Sequence, residues 1–184
     1  MRDYGASKAE HPVWGFKDPR ICLFLPQWAH AFPDLSVICI YRPAVQAVHS
    51  LKRRAARDML RGEAVEGNQR FWSVPDLAAR MYIVYARALL SFLETFRGRS
   101  RVVSVDALLA GQDVVAEARD WGYPLCDMRI DDVADRSILT GNGQNEPIFD
   151  TSLLPEIAAL EARFRAREVV GAVGPSLSQP EVFA

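Results

Sequence analysis

The sequence predicts an α/β fold in which a parallel sheet is flanked by helices. The chain has 184 residues, of which 49% are hydrophobic, enough for one domain with a buried core. Two short β-branched runs, 36–41 and 101–105, are separated by helical patterns. Strands that alternate with helices pair in parallel. We expect a single domain over residues 1–170 and a loose tail over residues 171–184.

The N-terminal part is predicted to pass from a strand end through a turn into a helix. Residues 13–16 are apolar, as at a strand end, and residues 17–20 form a turn. Residues 21–32 have helical spacing, although Pro26 shortens or kinks a helix there. Residues 36–41 are apolar throughout, which favours a strand covered on both faces.

A helix is predicted directly after this strand. Pro43 suits its first position. An apolar stripe then repeats every three or four residues at Ala44, Val48, Leu51, Ala55 and Met59. The same helix carries a run of cations at Lys52, Arg53, Arg54, Arg57 and Arg61. Such a run is a solvated helix face or an anion-binding surface. Gly62 and Gly67 bracket a polar loop.

The C-terminal half contains a long helix, a second strand and further helices. Residues 74–96 form the long helix, which Gly98 ends. Residues 101–105 are predicted to form the second buried strand. Residues 106–125 are predicted to form a turn, then a helix, then the segment that leads out of that helix. The composition of 141–147 is that of a loop. A last helix covers 152–166, with Pro155 in its first turn.

Composition excludes some classes of partner. The net charge is −1, so no bulk attraction to nucleic acid or to a membrane surface is expected. No apolar run approaches the ~18 residues of a membrane span, and the N-terminus lacks a secretion signal. Cys22, Cys39 and Cys126 have no metal-ligand spacing. Cys22 and Cys39 lie in apolar surroundings, which favours buried free thiols in the cytoplasm.

Arg42 and Ser50 are candidate anion-binding residues. Parallel sheets bind ligands beyond the carboxyl ends of their strands, and Arg42 follows one of those ends. The next helix begins with unpaired N–H groups that stabilise a phosphate or sulfate. Ser50, two turns along, shares a face with Gln46, Arg53 and Arg57. The alternative is that Arg42 pairs with a carboxylate and that Ser50 is only solvated.

Lys17 is the candidate catalytic cation. It follows the strand-like residues 13–16, so it can point out of the same edge and neutralise charge on a transferred group. The alternative is an exposed turn lysine beside a local ion pair between Asp18 and Arg20, which would contribute only a few tenths of a kcal/mol.

Three segments together resemble the sulfotransferases that use 3′-phosphoadenosine 5′-phosphosulfate (PAPS), particularly their bacterial branches. They are "WGFKDPR" from Trp14, "FPDLSVICIYRPAVQAVHSLKRR" from Phe32 and "RVVSVDALLAG" from Arg101. The resemblance implies a P-loop NTPase-like architecture. It also implies that Arg42 and Ser50 bind the 3′-phosphate and that Lys17 assists transfer. PAPS would be the co-substrate, with no metal. The acceptor would be a hydroxyl or amine of a small molecule or glycan.

The sequence departs from the family pattern in three places. Pro43 stands where the family usually has Asp or Asn. No histidine base follows Lys17, which leaves His11, Asp18 or an upstream residue as candidates. Nothing before Val13 reads as the strand and glycine-rich loop that hold the 5′-phosphosulfate.

The fold is therefore expected to be N-terminally incomplete, with an exposed apolar sheet edge. Three explanations are open. The chain is a fragment or a gene model that starts at an internal Met; a partner chain or a second copy supplies the missing strand; or the protein is a degenerate relative that no longer catalyses.

Three functions remain open at this point. The first is sulfuryl transfer, and the second is a non-catalytic module that binds a nucleotide or other anion. The third, a nucleotide kinase or other phosphotransferase, would need a Walker-type loop and a metal-binding carboxylate at a strand end, and neither is visible. Residues 61–73 and 129–150 are the candidate acceptor loops. Phe71, Trp72 and Tyr82 either line an acceptor pocket or belong to the core.

Overall fold

The computed structural model describes residues 13–126 and 146–170, which form a mostly helical α/β structure with a two-stranded sheet. The strands are β1 (Val37–Tyr41) and β2 (Ser100–Ser104). The helices are α1 (Leu25–Ala31), α2 (Ala44–Leu60), α3 (Val65–Ser73), α4 (Leu77–Thr95), α5 (Val105–Leu109), α6 (Val114–Asp120) and α7 (Leu154–Val170). Short 3-10 helices lie at Pro19–Leu23 and Thr151–Leu153.

The two strands pair in parallel, as predicted. Val37 lies opposite Ser100, and Tyr41 lies opposite Ser104. The helices α2, α3 and α4 form the crossover that a parallel pair requires. The pairing brings the C-terminal residues of both strands, Tyr41 and Ser104, to one end of the sheet, which we call the carboxyl edge.

The expectation that β1 is covered on both faces is wrong for the described residues. Cys39 and Tyr41 are only 5% and 9% exposed, whereas Ile38 and Ile40 are 40% and 53% exposed. Successive side chains of a strand point to opposite faces, so one face of β1 is covered and the other is open. Val103, which lies beside Ile40 in β2, is fully buried. Among the described residues, this second face is therefore covered over β2 but open over β1.

The main core lies on the face of Cys39 and Tyr41. The long helix α4 contributes residues spaced three or four apart, which are Ala79, Ile83, Ala86, Leu90 and Leu93. The last helix contributes Ile157, Leu160 and Phe164. The ring of Phe164 stacks on that of Tyr41 with centroids 4.9 Å apart. This contact holds α7 against the carboxyl edge.

Two local predictions differ from the structure, and a third is confirmed. Residues 13–16 are not a strand, because their aromatic rings pack on α1 instead of joining a ladder: the Phe16 and Trp28 centroids are 4.8 Å apart. Pro26 shortens the helix, as predicted: α1 begins at Leu25, and Pro26 lies in its first turn, where its missing N–H costs no hydrogen bond. Gly67 lies inside α3 rather than at the end of a loop.

The basic run is a solvated face with one exception. Arg53, Arg54 and Arg57 are exposed on α2. Lys52 is only 7% exposed, and its Nζ lies 5.5 Å from the ring centroid of Trp72 in α3. The prediction of a solvated side chain is therefore wrong for Lys52, because α3 covers it and an aromatic face stabilises its charge.

Cys22 and Cys39 are buried and carry free thiols, as predicted. No helix within residues 13–126 and 146–170 has the length and apolar character of a membrane span. The predicted tail (171–184) and most of the predicted loop at 141–147 lie outside the described residues.

Candidate anion site at the carboxyl edge

Arg42 lies directly beyond the last residue of β1, where the sequence predicts an anion site. Its side chain is half-buried. Within the part of the chain that the structure describes, its guanidinium has no hydrogen bond or ion pair. The predicted alternative, in which a carboxylate pairs with Arg42, therefore has no counterpart among these residues. A half-buried guanidinium with open donors can bind an anion through two parallel hydrogen bonds.

The first backbone N–H groups of α2 are not all unpaired, contrary to the expectation from the sequence. Pro43 is the N-cap residue, with φ −51° and ψ 138°, and it provides no side-chain cap. The backbone N–H of Ala44 donates to Oε1 of Glu161 at 2.8 Å. A carboxylate from α7 thus occupies one of the amides that a bound phosphate would use.

A second glutamate of α7 binds the end of β2. The N–H and O–H groups of Ser104 donate to Oε1 of Glu168 at 2.8 and 2.7 Å, and the hydroxyl of Tyr41 donates to Oε2 at 2.8 Å. Burial raises the pKa of Glu168, but these hydrogen bonds outweigh it and hold the pKa below its usual range. Burial, and then the hydrogen bond to Glu168, raise the pKa of Tyr41 to about 12.

The sequence patterns considered above did not identify Glu161 and Glu168 as functional residues, although the helical spacing of α7 could have done so. Ile157, Leu160 and Phe164 define the apolar face of α7. Glu161 and Glu168 each lie four residues after a member of that face, so helical spacing places both acids on it. An acid on an apolar face must find donors when the face is buried, and here those donors lie at the carboxyl edge.

Ser50 lies where its spacing predicts, two turns into α2. It is half-buried, about 9 Å along the helix axis from Ala44. Arg53 and Arg57 continue the same face and are exposed. Nε of Arg57 lies 3.6 Å from Oδ1 of Asp58, but the Arg57 side chain is 55% exposed, so its other donors face solvent. Helical spacing places Ser50, Arg53 and Arg57 on one face of α2, and Arg42 lies two residues before the helix begins.

Lys17 is exposed in a coil segment before the first 3-10 helix and does not follow a strand. Among the described residues, no hydrogen bond or ion pair links it to Arg42 or Ser50. The neighbouring ion pair is present as predicted: Nη2 of Arg20 lies 2.6 Å from Oδ2 of Asp18. The hydrogen bonds from Arg20 lower the pKa of Asp18 to about 2.

The three candidate pocket aromatics have different surroundings. Phe71 and Tyr82 pack partly against the core, whereas Trp72 is 50% exposed beneath Lys52. The hydroxyl of Tyr82 is buried and has no hydrogen-bond partner among the residues that the structure describes. A cavity of about 300 Å³ lies elsewhere, between α1 and α4, and is lined by Cys22, Leu23, Pro26, Ala88, Ser91, Phe92 and Thr95.

No group of three or more His, Cys, Asp or Glu side chains within residues 13–126 and 146–170 is arranged to hold a metal ion. His11, a candidate base, lies outside the described residues. Comparison with known proteins found no family model, no curated protein and no solved structure that matches the chain.

Proposed function

We propose that the chain is a sulfotransferase-like protein that binds the 3′-phosphate of PAPS at Arg42 and Ser50. The observation that carries the proposal is the position of Arg42, half-buried beyond β1 and without a partner among the described residues. Its permanent charge and forked donors suit a phosphate. A P-loop NTPase-like architecture and a cytoplasmic location, in keeping with the free thiols, belong to the same proposal.

The proposed reaction passes the sulfuryl group to a hydroxyl or amine of a small molecule or glycan. The acceptor attacks sulfur in line, and a new bond to sulfur forms. The bond between sulfur and the bridging oxygen of the nucleotide breaks, and the acceptor proton passes to a base. We assign to Lys17 the stabilisation of charge on the departing nucleotide. Asp18 is a poor candidate base, because Arg20 holds its pKa at about 2.

A second candidate is a binding module that holds the nucleotide without transfer. Two observations favour it. Lys17 lies in an exposed coil rather than at the end of a strand, and Glu161 already occupies the N–H of Ala44. Both candidates share the Arg42 site, so nucleotide binding tests that site and a transfer assay separates the two functions.

The binding test is calorimetric titration of adenosine 3′,5′-bisphosphate into the wild-type protein and into Arg42→Ala. We expect Arg42→Ala to weaken binding at least about tenfold, equivalent to about 1.4 kcal/mol. Arg70→Ala, which removes an exposed arginine from α3, is the charge-matched control and should leave affinity unchanged. Equal affinities of wild type and Arg42→Ala would remove the basis of the proposal.

The transfer test measures release of the bisphosphate from PAPS with a panel of phenol, sugar and amine acceptors. If the chain is an enzyme, Lys17→Ala should slow release and leave the affinity for the bisphosphate unchanged. Binding at Arg42 without transfer to any acceptor would identify the non-catalytic module instead.

A further inference from the structure

Strand β1 has an open edge. Among the described strands only β2 lies beside it, and the N–H of Val37 donates to the carbonyl of Arg99 at 2.9 Å. The backbone groups of successive strand residues point to opposite sides, so those of Cys39 also face β2, whereas those of Ile38 and Ile40 face away. No described element outside this strand pair bonds to the N–H or C=O groups of Ile38 and Ile40. These groups are therefore available to a further strand.

The open edge is apolar and lacks features that protect most sheet edges. The side chains of Ile38 and Ile40 are 40% and 53% exposed. Natural edges carry charged residues or proline that discourage pairing, and residues 37–41 contain neither. The far edge of β2 differs, because the N–H of Ser104 donates to Glu168 of α7. The edge of β1 can therefore accept another strand through backbone hydrogen bonds.

The remaining segments of the sequence offer no apolar run like that of β1. Residues 1–12, 127–145 and 171–184, which lie outside the described part of the chain, contain at most three consecutive apolar residues. Strand β1 itself consists of five. A second copy of the chain supplies a strand of matching apolar character, because it presents the same open edge.

Two copies of β1 match each other when they run antiparallel. A twofold axis beside Cys39 places Ile38 of one copy opposite Ile40 of the other. Both residues point their backbone groups outward, so each opposite pair exchanges N–H···O=C bonds, and the side chains meet on the open face of the sheet. The contact is self-complementary and closes after two copies.

The charges at the two ends of β1 favour the same arrangement. Asp34 is exposed three residues before β1, and Arg42 follows β1 directly. Neither side chain has a hydrogen bond or ion pair with another described residue. Antiparallel pairing brings the acidic end of each copy to the basic end of the other. Parallel pairing would instead bring like charges together, which is unfavourable.

We propose that β1 is a dimerisation strand that pairs antiparallel with β1 of a second copy of this chain. The dimer has one continuous sheet in the order β2–β1–β1–β2. This inference goes beyond the proposed function and does not depend on it. A guanidinium has five N–H donors, so an exposed contact between Arg42 and Asp34 of the second copy leaves donors for an anion.

Analytical ultracentrifugation of the whole chain tests the proposal. We expect the mass to rise from that of one chain, 20.6 kDa, towards that of two as the protein concentration reaches about 200 μM, a range that detects weak interfaces. Ile40→Lys places a charge in the paired face and should raise the dimer dissociation constant at least about tenfold. Leu60→Lys is the matched control, because Leu60 is 90% exposed on α2, and it should dimerise as the wild type does.

Two outcomes of this experiment overturn the proposal. One is a wild-type protein that keeps the mass of a single chain at every concentration. The other is a dimer that Ile40→Lys and Leu60→Lys weaken equally.

Reversal of the charge at Asp34 tests the direction of pairing. Asp34→Lys replaces an exposed attraction at each end of the interface by a repulsion, so the dissociation constant should rise about fivefold. Glu66→Lys makes the same change of charge at an exposed position of α3 and should leave the constant unchanged. An effect of Asp34→Lys no larger than that of Glu66→Lys overturns the antiparallel arrangement.

Hydrogen exchange of the wild-type protein identifies the paired surface without a substitution. The amides of Ile38 and Ile40 should be protected in the dimer and exposed after dilution to the monomer, while that of Cys39, which faces β2, stays protected. Protection of Ile38 and Ile40 that persists in the monomer would show that another segment of the same chain covers the edge. Fast exchange of both in the dimer would show that the copies pair through another surface. Either result overturns the proposal.

Discussion

Replacement of Glu168 by alanine should destabilise the protein by about 2–4 kcal/mol. Three donors converge on this carboxylate, from the backbone and hydroxyl of Ser104 and the hydroxyl of Tyr41, at 2.7–2.8 Å. Hydrogen bonds to a charged group contribute about 1.5–3 kcal/mol each, but the carboxylate is partly desolvated and water reaches the freed donors, so the net loss is smaller than their sum.

The assay is urea and thermal unfolding of wild type and Glu168→Ala. For a chain of this size the melting temperature should fall by about 4–16 °C. Glu94→Ala is the control, because its partner Arg163 and its own carboxylate are about half exposed. Glu94→Ala should lower the free energy of unfolding by less than about 1 kcal/mol. A loss in Glu168→Ala no larger than that of the control would refute the argument.

The contribution of Glu168 should also depend on pH. Hydrogen bonds hold its pKa below the reference value of 4.5, so the unfolded chain takes up the proton first as pH falls. The stabilisation is complete well above pH 4.5 and is lost as pH falls through the lowered pKa of the folded state. The stability difference between wild type and Glu168→Gln should therefore be constant near neutral pH and shrink in acid. A difference that grows below pH 4.5 would contradict this sign.

Two further predictions concern other parts of the fold. The Cys39 thiol should be inert to a thiol reagent at pH 8 in the native protein while the exposed Cys126 reacts, because burial, with a smaller effect of Cys22, raises the pKa of Cys39 to about 12. Rapid reaction of all three thiols in the native protein would count against it. Ala64→Gly should stabilise the protein by about 1 kcal/mol, because Ala64 has φ 44° before α3; a lower urea midpoint for this variant would show that the strain is absent.

Local patterns predicted the elements that build the carboxyl edge. Strand β1, the apolar stripe of α2 and strand β2 follow from short-range periodicity, and parallel pairing follows from their alternation with helices. The position of Arg42 beyond β1 follows from the same reasoning. These predictions succeed because each depends on neighbours within a few residues or on a general rule of chain connection.

The partners that cross the fold could not be predicted in the same way. Ala44 and Glu161 are 117 residues apart, and Ser104 and Glu168 are 64 apart, so no local pattern links them. The apolar composition of β1 predicted two covered faces, but burial of Ile38 and Ile40 depends on which elements pack over the strand. The coil at Lys17 reflects aromatic packing of its neighbour Phe16 on α1, which outweighs the strand preference of a short apolar run.

The same electrostatics that predict an anion at the carboxyl edge explain the two glutamates of α7. Helices that follow parallel strands begin at this edge, and each start carries partial positive charge. Glu161 serves the start of α2, and Glu168 binds Ser104, the N-cap residue of α5. The two acids are about 10 Å apart along α7, which lets one helix supply both neighbouring starts. The last helix supplies carboxylates to the backbone N–H groups of Ala44 and Ser104 but none to the side chain of Arg42. The Arg42 guanidinium therefore has no partner among the described residues. Within this part of the chain, the Arg42 guanidinium keeps its donors open, whereas the N–H of Ala44 already donates to Glu161.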